Sequence, residues 1–168
     1  IWRDKVLAGT AGYLALAQSA PGAAASPRQL EAWAAGVLAA RQHFQVLAAL
    51  RNGPWGVVGL NTQIETWLAE AGLIQQTDLW YAGRPVMITR NDYALGLMNG
   101  DVGVTLAVPE GDTTRLRVAF ADGEGGDGVR WVSPSRLAHA ETVHAMTVHK
   151  SQGSEFTEAV LVLPPGRN

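Results

Sequence analysis

Cysteine is absent from this chain of 168 residues. That excludes disulfides, cysteine-ligated zinc and a thiol nucleophile, and it fits a cytosolic protein. Lysine is nearly absent as well. Lys5 and Lys150 are the only ones, and the other cations are arginines, a bias that GC-rich codon usage also produces. Charged residues amount to only 17% against 47% hydrophobic. That balance argues against disorder and supplies core for one ordinary domain or two small ones. No run approaches the roughly 18 apolar residues of a membrane span, so no membrane partner is expected. Nor is a signal peptide legible: the chain opens on Ile1, and Trp2-Arg3-Asp4-Lys5 brings in charge at once. An excised piece of a longer protein is expected. Net charge is −2, so any nucleic-acid contact must come from a local patch or from loops.

The common catalytic signatures are missing too. There is no GxxxxGK followed by Ser or Thr, no GxGxxG after a strand, no HExxH and no GxSxG elbow. Gly123, Gly125, Gly126 and Gly128 sit among acidic residues that would repel phosphate, which reads as a flexible turn. The four histidines are His43, His139, His144 and His149. The spacing of His144 and His149, near Glu141 and Glu155, is poor for ligation on a helix or a strand, and no metal site is expected.

What is present changes character along the chain. Residues 1–25 are Ala-rich with a weak helical pattern around Tyr13, Leu14 and Leu16. Ser26-Pro27-Arg28-Gln29 spells a capping box, and Leu30, Trp33, Val37 and Ala40 continue at helical spacing. Residues 43–50 (HFQVLAAL) end in an unbroken apolar run that suits a doubly buried parallel strand, with helix as the competing reading. Arg51-Asn52-Gly53-Pro54 is a turn, after which Val57, Leu60, Ile64 and Leu68 form a helical stripe. From about residue 80 to 136 short β-like runs replace this pattern: 84–89, 101–108 after Asn99-Gly100, 114–120, and 129–132. Beyond Pro134 the α/β style returns, with a strand expected over 141–147, a loop or short helix at VHKSQG, and a fully buried strand at 159–163 (AVLVL). A small β module is thus inserted into an α/β domain.

The stretch VHKSQGSEF (148–156) holds the densest polar chemistry, and it follows the C-terminal end of an expected strand, where α/β sheets bind ligands. Gly153 allows close backbone approach or positive φ. A solvated turn with capping serines is the bland alternative.

AMTVHKSQGSEF resembles motif V of superfamily 1 helicases and, among them, that of the RecD-type 5′→3′ DNA helicases, the alpha chain of exodeoxyribonuclease V. LAALRNGPWGVVGLN (47–61) and GRPVMITRNDYALGLMNGDVGV (83–104) resemble the same family in the same order, so the likeness covers roughly residues 44–163. The resemblance implies a partial second RecA-like motor domain, of the P-loop NTPase type, carrying an inserted SH3-like barrel. Residues 1–80 would hold the leading helices and the first part of the motor domain, 81–138 the barrel, and 139–168 the return with motif V. Thr147, His149 and Ser151 would face single-stranded DNA. Arg51, Asn52 and Asn61, around the loop after the other buried strand, would be a second DNA contact, each equally readable as a solvated β–α turn; Arg90 and Asn91 in the barrel could also touch DNA, although strand-end polar residues are more often just solvated. Gly153, Glu155, Lys150 and Gln152 would be the nucleotide-side residues, Glu155 reaching the ribose and Lys150 and Gln152 helping to link the nucleotide and DNA sites. Trp55 could stack on bases; Trp67, at helical spacing, reads as core.

The implied full-length protein is an ATP- and Mg²⁺-dependent helicase of the bacterial cytoplasm. It would work in double-strand-break repair and recombination with RecB and RecC chains. The phosphate cradle, the Mg²⁺ ligands and an arginine-bearing motif VI are not in this chain, so no catalytic residue, bound cofactor or activity is expected of it alone. Two rivals stand beside this reading: a relaxase or stand-alone RecD-like helicase, and a non-catalytic barrel that docks a protein.

Overall fold

Ser26 and Gln29 cap a helix as their spacing predicts. Gln29 N–H donates to Ser26 Oγ at 3.2 Å and Ser26 N–H donates to Gln29 Oε1 at 2.8 Å. The capped helix is α2 (Pro27–Arg41), with α1 (Trp2–Ala17) before it and α3 (Val57–Glu70) after it. The computed structural model describes residues 2–122 and 128–166. The expected Gly-rich turn falls largely on residues 123–127, outside the described residues.

Two sheets divide the strands. β1 (Phe44–Ala48) is central in a parallel sheet, flanked by β7 (Ala145–Thr147) and β8 (Glu158–Val162). The competing helical reading of 43–50 therefore loses to strand. β2 (Pro85–Ile88), β3 (Val102–Glu110), β4 (Thr113–Asp122), β5 (Gly128–Val132) and β6 (Ala140–Thr142) make a wholly antiparallel sheet in the order β5-β4-β3-β2-β6. In sequence the antiparallel strands lie between β1 and β7 of the parallel sheet.

Burial explains the packing. α3 buries Val57, Leu60, Ile64 and Leu68, the expected stripe, each worth about 1.5–3 kcal/mol of apolar transfer. α1 buries Val6, Tyr13, Leu14 and Ala17. It settles on β1 where Gly9 has no side chain; a Cβ there would overlap the Phe44 ring. Trp67 packs edge-on against Trp2, centroids 4.4 Å apart, so its core reading holds. Trp55 stays exposed.

Two strand expectations need correction. The run 141–147 is two strands in different sheets: β6 pairs with β2, β7 pairs with β1, and only Val143 and His144 separate them. Val143 N–H donates to Pro85 C=O, which turns the chain out of one sheet and into the other. The aliphatic strand near the end is not fully buried. β8 pairs with β1 alone among the described residues, and Leu161 and Leu163 are 53% and 60% exposed. Its composition is that of an interior strand, but its position is an edge. No described helix is long and apolar enough to cross a membrane.

Candidate nucleic-acid interface

The parallel register sets the candidate interface. Ala48 on β1 pairs with Thr147 on β7, so the loops leaving both strands emerge side by side at the C-terminal edge of the sheet. Val148 N–H donates to Ala48 C=O at 3.1 Å and ties them together. One loop carries Arg51 and Asn52; the other carries His149.

The second loop is wound on itself. Thr147 Oγ1 accepts from Lys150 N–H at 3.2 Å, and a short 3₁₀ turn runs from His149 to Ser151. Ser151 Oγ donates to Val148 C=O at 2.6 Å. Its single proton is thereby used, and phosphate offers only acceptors, so Ser151 is not placed to donate to a DNA backbone. Among the described residues the Thr147 hydroxyl only accepts, which leaves its proton for a ligand, and His149 is exposed. Gly153 has φ +83° with open space around its Cβ position, so positive φ rather than close approach is what glycine supplies there.

The other candidates fare differently. Arg51 lies in a bidentate pair with Glu141, at 2.8 and 3.2 Å, and that hydrogen-bonded carboxylate raises its pKa. More than half of its side chain is exposed. Asn52 is exposed. Asn61 must be removed from the interface. It is only 7% exposed, donates through Nδ2 to Thr142 and Ala145 C=O, and accepts Ala145 N–H on Oδ1 at 2.9 Å. Its amide is consumed in holding β7.

In the antiparallel sheet, Arg90 is exposed and Asn91 Oδ1 accepts Asn99 N–H at 2.8 Å. Lys150 reaches this same turn: its ammonium donates to Asn99 Oδ1 at 2.8 Å. Grouping Lys150 with the nucleotide residues therefore needs correction, since its charge points at the turn between β2 and β3. Gly153 and Glu155 line a hollow with Arg41, Gln42 and Phe156, and neither Lys150 nor exposed Gln152 lines it.

A buried polar joint escaped sequence reasoning. The backbone between β6 and β7 is satisfied by side chains from several elements. Arg41 donates to Val143 C=O, Gln45 to His144 C=O, and Arg84 Nε to Thr142 Oγ1, beside the Asn61 bonds. Tyr81 OH donates to Glu65 at 2.5 Å and lies 2.8 Å from His144 Nε2. A hydroxyl has one proton, so His144 Nε2–H donates to Tyr81, and the buried Nδ1 is an acceptor without a partner among the described residues. Burial, then the charges of Arg41 and Arg84, lower the His144 pKa to about 3. Burial likewise lowers the pKa of Arg41 and Arg84 and raises that of Tyr81. The guanidinium of Arg84 also lies 4.3 Å from the Trp80 ring centre. The sequence signals were Gln45 within the otherwise apolar run 44–48 and Arg84 directly before the apolar run 85–88.

Comparison with known proteins fits this geometry. Residues 60–120 match the ATP-dependent RecD-like DNA helicase SH3 domain, which spans α3 through most of β4. The RecBCD enzyme subunit RecD of Mycobacterium tuberculosis strain H37Rv is 43% identical over 127 residues, 76% of this chain and 21% of that protein. The chain belongs to the RecD-type helicases. Further relatives span the family. The Haemophilus influenzae RecBCD enzyme subunit RecD is 41% identical over 120 residues (70% of this chain, 17% of the relative). The ATP-dependent RecD2 DNA helicase of Deinococcus radiodurans is 32% identical over 121 (71% and 16%). The chain thus spans about a fifth of the length of these RecD-type relatives. Among the described residues, no three His, Asp or Glu side chains gather as metal ligands.

Proposed function

We propose that this chain is the motif V and SH3-like portion of an ATP-dependent 5′→3′ DNA helicase. In this reading the protein is a RecD-like subunit of exodeoxyribonuclease V, working with RecB and RecC chains in double-strand-break repair and recombination in the bacterial cytoplasm. The parallel sheet is the corresponding part of a second RecA-like motor domain. The observation that carries the reading is the Ala48–Thr147 register, which sets two polar loops side by side at the C-terminal sheet edge of a RecD-type chain.

In mechanism, Thr147 donates its hydroxyl proton to a phosphate, and His149 and Asn52 add hydrogen bonds without reading bases. Arg51 exchanges its hold on Glu141 for a phosphate oxygen. Arg90 and Asn91 extend the path onto the antiparallel sheet. Glu155, exposed beside Gly153, is free to accept from ribose hydroxyls, so this chain suits one wall of an ATP site. ATP with Mg²⁺, when bound, would supply the phosphoryl-transfer chemistry, and among the described residues no group of three carboxylates or histidines gathers to hold the metal. The polar joint holds β7, and hence Thr147, in register.

Fluorescence-anisotropy titration with labelled oligo-dT at low and moderate salt tests the reading. Binding is expected to weaken with salt and to fall several-fold in both Thr147→Ala and His149→Ala. Absence of binding at low salt overturns the DNA assignment in favour of a protein-docking role for the antiparallel sheet.

A further inference from the structure

The turn between β2 and β3 presents an aromatic side chain that packing does not explain. Tyr93 is 80% exposed, and Met98 in the same turn is 44% exposed. Exposed aromatics on mobile loops are unremarkable, but this turn is held rigidly. Asp92 and Leu97 exchange backbone hydrogen bonds at 2.7 and 2.9 Å, and Gly96 N–H donates to Tyr93 C=O. Asp92 Oδ1 accepts Leu95 N–H, Asp101 Oδ2 accepts Met98 N–H, and Arg130 donates to Leu95 C=O at 2.6 Å. Gly96 sits at φ +67° against the Arg130 guanidinium, where any Cβ would collide. Both acidic side chains of the turn are thus engaged with its own backbone, and the cations Arg90 and Lys150 flank it. Lys150 ties the turn to the loop after β7 through Asn99.

We propose that Tyr93 is a base-stacking residue for single-stranded nucleic acid, continuing the path that leaves the Thr147–His149 loop. The inference rests on the DNA reading above and adds to it a sequence-tolerant grip on the bases. A rigid, outward aromatic beside cations is what stacking requires: the ring gives up little freedom on binding, and every base offers a π face. The Lys150–Asn99 bond fixes the ring relative to the phosphate-binding edge, so a strand held at one is presented to the other.

The test uses the full-length protein and two oligomers of equal length, oligo-dT and an abasic strand. Tyr93→Ala is expected to weaken oligo-dT binding about tenfold, Tyr93→Phe to retain it, and the abasic strand to bind wild type and Tyr93→Ala alike. Equal oligo-dT affinity in wild type and Tyr93→Ala overturns the stacking role, as does an equal loss on both oligomers. If wild type does not bind oligo-dT, the DNA reading falls and the stacking role with it. If Thr147→Ala weakens binding while Tyr93→Ala does not, only the stacking role falls.

Discussion

Asn61 shows how one side chain changes meaning once its surroundings are known. In sequence it is a polar residue just past a turn, suited to touch DNA. In the fold its amide makes three bonds to the backbone of Thr142 and Ala145. Asn61→Ala leaves those buried groups without partners, at about 1–3 kcal/mol for the first and less for each relaxed neighbour. A loss of about 2–4 kcal/mol in urea unfolding is expected, and a change under 0.5 kcal/mol would refute the positioning role. His144 makes a second prediction. Its folded pKa, about 3, lies below its unfolded value of roughly 6.5. The unfolded state therefore binds more protons below pH 6.5. The stability gained by keeping His144 neutral is complete above that pH and is lost as pH falls towards 3, by about 1.4 kcal/mol per pH unit. His144→Gln is expected to flatten the pH dependence of unfolding between pH 6 and 4; an unchanged slope would place the titration elsewhere.

At the scale of elements, the parallel strand β8 and the split strand at 141–147 are the instructive cases. β8 reads as an interior strand because Val and Leu dominate it, yet among the described residues it pairs with β1 alone, and Leu161, with Leu163 just after the strand, lies in solvent. An open apolar edge invites pairing between chains. Leu161→Lys is expected to lower concentration-dependent association of the isolated chain in sedimentation velocity, while its unfolding free energy moves by less than about 0.5 kcal/mol. Unaltered sedimentation would mean that the edge is protected. The 141–147 run looked continuous because nothing in residue type marks a change of sheet. What divides it is the Val143–Pro85 backbone bond and four side chains, Asn61, Arg41, Gln45 and Arg84, arriving from distant positions.

At the scale of the whole molecule, the chain joins a small antiparallel sheet to three parallel strands through a buried polar seam. The Lys150–Asn99 bond adds a second link at the surface. Phosphoryl transfer requires a phosphate cradle, metal ligands and an arginine finger together, and the sequence contains no GxxxxGK signature. The 168-residue chain by itself is therefore expected to show no DNA-stimulated ATP hydrolysis in a phosphate-release assay. Robust turnover would overturn the assignment of only one wall of the nucleotide site to this segment.

Local chemistry determined much by itself. The capping box at Ser26, the stripe of α3 and the alternation over 114–120 follow from propensity and spacing, which act over a few residues, whereas strand over helix at 44–48 and positive φ over close approach at Gly153 were settled by the fold. The family resemblance was likewise legible in three separated blocks. Only the tertiary structure decided which polar groups face solvent. Asn61, Gln45 and Arg41 became structural because strands far apart in sequence brought backbone groups to them, and Arg84 and His144 because the fold set them against Thr142 Oγ1 and the Tyr81 hydroxyl; a buried donor or acceptor must be satisfied wherever the partner comes from. Tyr93 became prominent for the opposite reason: its turn is fixed by Arg130 and Asp92, and nothing in the described fold covers its ring.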